Sequence, residues 1–130
     1  MMSGMAQVLR LVPVVPRETD ISASIVDAIV RLGLGVVTRY NSGAVVRNGR
    51  FVRFNNAPGH SDLGGVLRRK TPGRAFYLEV KRPGKEPTPE QETFLEDRRA
   101  CGAIAERVDS VEQALIALGF PELLAPSRRT

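Results

Sequence analysis

Apolar positions along the chain follow two periods, and the switches between them mark the elements. Ile21, Ile25, Ala28, Ile29 and Leu32 recur at helical spacing before Gly33, which predicts an amphipathic helix with those residues turned inward. "LGVVTRY" (34–40) then reads as a strand. "AVVRNGRFVRF" (44–54) reads as a hairpin, because Asn48-Gly49 suits the positive φ angles of a tight turn. "SDLGGVLRR" (61–69) predicts a shorter strand and "RAFYLEVK" (74–81) the strongest one, since Phe76, Tyr77, Leu78 and Val80 are types that fill a buried sheet. Thr88 as N-cap, Pro89 at the first helical position and Gln91 closing a capping box open a second helix. "AIAERV" (103–108) is a last strand, and Ser110 with Gln113 repeats the capping-box spacing for a final helix that Gly119 ends. Helix, strands, helix, strand, helix is the order of an α/β domain with a mixed central sheet flanked by helices. It is expected over 16–120, between an N-terminal arm (1–15) and a C-terminal tail (121–130).

One detail of the best strand resists a purely structural account. Side chains alternate across a strand, so Glu79 and Lys81 emerge on one face roughly 6.5–7 Å apart. An edge strand with a wet outer face would explain them as an ion pair worth under about 1 kcal/mol. The flanking apolar run favours a central strand instead, with Tyr77 on the same face as Glu79. Asp62 follows the turn-forming "NNAPGHS" and begins a strand, where it can reach the sheet rim beside Glu79. Glu18 stands three residues before Ile21 and seven before Ile25, on the inward face of the first helix; its other role is to complement the helix dipole. Three gathered carboxylates repel one another unless a cation joins them. A single Cys (Cys101) and a single His (His60) exclude an internal disulfide and the Cys/His metal sites, leaving an oxygen-held Mg²⁺ or Mn²⁺. The Lys81 ammonium would stabilise a negatively charged transition state nearby.

Composition narrows the partner. The chain has 130 residues, 42% hydrophobic and 25% charged, which is ordinary for one globular domain. Nineteen Lys and Arg against 14 Asp and Glu give +5, a surplus that favours a polyanion such as nucleic acid. Arg47, Arg50 and Arg53 cluster on the hairpin, Arg68, Arg69, Lys70 and Arg74 on the next connection, and Arg82 and Lys85 beyond the strongest strand. These cations either hold phosphates without reading bases or are ordinary solvated charge. With no Trp and two Tyr, base-stacking platforms are not expected, and DNA shape is a better target than single strands. "MAQVLRLVPVVP" (5–16) is interrupted by Arg10, Pro13 and Pro16, so neither a signal peptide nor a membrane span is expected. The setting expected is cytoplasmic, in a bacterial cell or for a phage or viral protein in its host.

"HSDLGG" followed by "FYLEVKRPGKEPTPEQ" resembles the PD-(D/E)XK nuclease superfamily, with its restriction-endonuclease-like core. The spacing of "EVKRP" to "TPEQ" and the later "GAIAERVDSVEQAL" are similar to its VRR-NUC branch, the virus-type replication-repair nucleases, over about Glu18 to Leu118. The resemblance implies that Asp62, Glu79 and the backbone carbonyl of Val80 bind the metal. Lys81 positions the attacking water, Gln91 matches the family's active-site Gln, and Glu18 matches its first-helix acid, a ligand directly or through water. Ser61 stands where the motif has proline, which touches the rigidity of the turn and not its chemistry. The activity implied is metal-dependent cleavage of DNA. Two copies paired about a two-fold axis would present two sites to a symmetric branched substrate, so a structure-specific homodimer acting on four-way (Holliday) junctions is expected, with "VLRLVPVV" and "FPELLAP" as candidate interface segments. The alternatives are a nuclease of flaps or linear DNA, a non-catalytic DNA-binding or assembly module, and a structural domain with surface ion pairs.

Overall fold

The computed structural model describes residues 15–40, 44–53 and 59–124, with backbone alone at 44–47 and 50–53. The arm up to 14, the end of the tail and most of the "NNAPGHS" turn lie outside the described residues. Helix α1 (Glu18–Arg31) carries the expected stripe, with Ile21, Ile25 and Ile29 buried and Ala28 half-buried. Leu32 departs from it. It is the C-cap of α1 and is exposed, because the chain leaves the helix there through Gly33 at φ +64°.

Strands β1 (Gly35–Arg39), β4 (Leu63–Leu67), β5 (Ala75–Val80) and β6 (Ile104–Val108) form one sheet in the order β1-β4-β5-β6. The first three are mutually antiparallel and β6 runs parallel to β5, so the sheet is mixed. Strands β2 (Ala44–Arg47) and β3 (Arg50–Arg53) pair as a separate hairpin, with Asn48 at φ +54° and Gly49 at φ +75° making its turn. Helix α2 (Pro89–Ala100) begins with the complete Thr88–Gln91 capping box. Helix α3 (Val111–Leu118) begins at Ser110 and ends on Gly119 in the left-handed region.

The sheet separates two apolar layers. Phe76, Leu78 and Val80 of β5 face a large core with Ile21, Ile25 and Ile29 of α1 and Leu115 and Leu118 of α3. Tyr77 turns to the other face, against Phe94 and Leu95 of α2 and Ala105 of β6. Strand β5 is therefore central, with a neighbour on each side and helices on both faces. No described helix is long and apolar enough to cross a membrane.

Candidate active site

The end of β5 meets the start of β4 at the rim of the sheet, and the register decides what faces what. Leu63 pairs with Leu78, so one step further Asp62 lies opposite Glu79. Arg39 pairs with Leu63, and Tyr40 continues that ladder by donating its N–H to the Asp62 carbonyl at 2.8 Å. The Asp62 side chain is fixed as well: Oδ2 accepts from the Val80 N–H at 2.8 Å. Ser61, buried in the proline position of the resembled motif, donates its hydroxyl to Leu63 O at 2.9 Å and stiffens the turn another way. Gly59 (φ +73°) completes the seat of the loop, since a Cβ there would strike the Glu90 carbonyl at the first turn of α2.

Glu79 is 2% exposed, which excludes the wet edge-strand explanation of its charge. Its Oε2 faces Lys81 Nζ at 3.7 Å, and Oε1 is enclosed without a hydrogen-bond partner among the described residues. Burial pushes its carboxyl up to about 9; the neighbouring Asp62 carboxyl adds to the rise, and Lys81 offsets only part. Glu18 adds a small repulsion of its own. The register neighbour of Glu79 on β6 is Arg107, a cation in the right place to neutralise it. Its guanidinium is committed elsewhere, to Asp109 at 2.7 Å and to the carbonyls of Arg82 and Lys85. Two carboxyl groups therefore share the rim with one ammonium, and burial beside Asp62 favours the protonated form of Glu79.

Glu18, Thr19, Ser22, Arg39, Tyr40 and Asp62 line a cleft of about 420 Å³. Of the expected site residues, Glu18 and Asp62 line this cleft, and Glu79 lies across the ladder from Asp62 with Lys81 alongside it and within range of the Glu18 charge, so the four share one region of the rim. Their three carboxylates do not close on one point: among the described residues, no group of three His, Cys, Asp or Glu is arranged to hold a metal ion. The donor chemistry nonetheless suits a hard cation, with an orphaned oxygen on Glu79 and an acid beside it that a divalent ion would satisfy together. Val80 is buried, and the contact it makes here is through its N–H. Gln91 does not line the cleft; its Oε1 accepts from the Thr88 N–H at 2.8 Å in the capping box.

The expected phosphate contacts divide in three. Arg82 and Lys85 are exposed on a loop that Arg107 anchors through their carbonyls. The side chains of Arg47, Arg50 and Arg53 lie outside the description. Three of the β4–β5 cations have structural partners instead, and of these Arg74 donates to Gly102 O, just past α2, at 3.0 Å. Arg69 donates to Leu32 O at the end of α1 at 3.1 Å, and Lys70 donates to Gly119 O at the end of α3 at 2.6 Å. Lys70 also pairs with Glu122 at 2.7 Å and lies over the Phe120 ring, and it holds the Glu122 carboxyl below its ordinary range. Lys70→Ala is therefore expected to lower Tm by about 3 °C and to leave any affinity for DNA unchanged, as thermal melts and a salt titration of binding would show.

Arg39 and Tyr40 went unnoticed in the sequence. Both lie on the cleft, and Arg39 makes no ion pair among the described residues. The available signal was strand pairing, which sets the end of 34–40 against Asp62. Comparison with protein-family models, with curated proteins and with solved structures finds no match for the chain.

Proposed function

We propose that the chain is a divalent-metal-dependent deoxyribonuclease of the PD-(D/E)XK type, in its VRR-NUC branch, acting on branched DNA. The observation that carries this reading is Glu79, enclosed at the end of a central strand with one oxygen unpartnered, Asp62 opposite it and Lys81 alongside. A fold accepts such a carboxyl for a ligand more readily than for stability, since burial of the charged form opposes folding.

Asp62 and Glu79, with the Val80 carbonyl, would hold Mg²⁺ or Mn²⁺, and Glu18 would join directly or through water. When bound, the cation supplies charge neutralisation to the phosphodiester. Lys81 does two things from its place beside Glu79. It orients the attacking water, and its fixed positive charge stabilises the negative charge that grows on the phosphoryl oxygens. Arg39 binds a backbone phosphate at the mouth of the cleft, and Arg82 and Lys85 extend the contact along the strand. A two-fold homodimer would present two such sites to a four-way junction.

A non-catalytic DNA-binding module is the second reading, favoured by the lack of a ready three-acid group among the described residues. Incubating purified protein with four-way, flap and linear DNA in Mg²⁺ or Mn²⁺ separates the two. Cleavage is expected, strongest on branched DNA and abolished by Asp62→Ala. DNA binding without cleavage in either cation selects the second reading.

A further inference from the structure

Tyr40 stands where a catalytic cleft would receive a nucleotide, and the fold holds its ring in place from behind. The Tyr40 ring lies across Gly64, where a Cβ would come within 2.6 Å of the Tyr40 Cε2 and 3.3 Å of its hydroxyl oxygen. His60 packs against it with ring centroids 4.0 Å apart, Phe94 follows at 4.5 Å from His60, and the Arg98 guanidinium caps Phe94 at 3.9 Å. His60 is itself pinned, with Nδ1 donating to Ser61 O at 2.9 Å. Tyr40 is the member of this column that lines the cleft, beside Arg39 and Asp62. A half-buried tyrosine with a rigid backing and one side on a polar cleft differs from a core ring, which has neighbours all round.

We propose that Tyr40 is a stacking platform for one unpaired base, so that the preferred substrate is DNA with an unstacked nucleotide beside the cut phosphate. This rests on the nuclease reading of the cleft. Tyr40 and Asp62 face each other across the ladder, and directly opposed residues carry Cβ atoms about 4.5–5.5 Å apart. The ring and the acid therefore border the same cleft. Bases inside a continuous duplex have both faces covered by their neighbours, so none is free to lie on the ring. An end, a flap or the branch point of a junction supplies one. Arg39, adjacent in sequence, takes the phosphate of the same nucleotide. The two tyrosines that composition discounted as platforms thus include one placed for that use.

The chain has no Trp, so in Tyr77→Phe protein Tyr40 is the sole strong emitter. In EDTA, a short single-stranded oligonucleotide is expected to quench that emission, and a blunt duplex of the same sequence to leave it unchanged. Tyr40→Leu should weaken single-strand binding roughly 5- to 100-fold and duplex binding little, with Tyr40→Phe restoring the difference. Unchanged emission at saturating single strand, or equal weakening toward both DNAs, overturns the platform. Should Tyr40→Leu fail to fold, the emission measurement still decides. Mn²⁺-dependent cleavage, followed in parallel, keeps the two readings apart. Cleavage without quenching removes the platform and leaves the nuclease; quenching without cleavage does the reverse.

Discussion

Glu79→Gln is expected to lower metal-dependent DNA cleavage by about 10³-fold or more while making the folded protein more stable. The amide keeps the shape of the side chain and can donate to Asp62, but it offers a cation no negative charge. Stability moves the opposite way because of the proton. The native carboxyl is pushed up to about 9 from 4.5, so between those limits the folded chain holds a proton that the unfolded chain has released. Stability of the unaltered protein therefore falls as pH rises through that window and is fully present only below it. Glutamine has nothing to titrate. The variant should gain about 1–3 kcal/mol at pH 7 and show a flatter stability profile from pH 5 to 9, measured by urea unfolding. A loss of stability together with full cleavage would remove Glu79 from the site.

A divalent ion should produce the second large effect. Mn²⁺ at a hundredfold excess over its Kd is expected to stabilise the fold by about 2.7 kcal/mol, a rise in Tm of roughly 8 °C for a chain of this size. The ion must displace the proton that burial keeps on Glu79, so its apparent affinity should climb about tenfold per pH unit up to about 9. Thermal melts at pH 6, 7 and 8 with and without Mn²⁺ test this, with Asp62→Asn as the variant that loses the shift. No shift at any pH would mean that the acids hold only a proton.

The regular elements were legible because their signals are local. The Ile21–Ile25–Ile29 stripe, the Thr88 and Ser110 caps and the Asn48-Gly49 turn each act within a few residues of themselves. Leu32 followed the same period and failed, since period alone does not say where a helix stops. The site was legible in part: alternation put Glu79 and Lys81 together, while the Asp62–Glu79 pair required a strand partner. Nothing local to Lys70 announces that its ammonium serves a carbonyl 49 residues away. Nor does "IAERV" reveal that Arg107 turns from Glu79 toward the 82–85 loop. Both are choices among distant acceptors, settled only when the chain is closed.

Gly59 resting on the first turn of α2 makes that helix a jig for Asp62. Glu90 faces solvent, yet its main chain is the surface on which the loop bearing the acid is aligned. Tolerance to sequence change at this turn is consequently narrower than its exposure suggests. Any substitution that tilts the helix start by an ångström would misalign the acid against its partner across the ladder, without disturbing a single side chain of the large core.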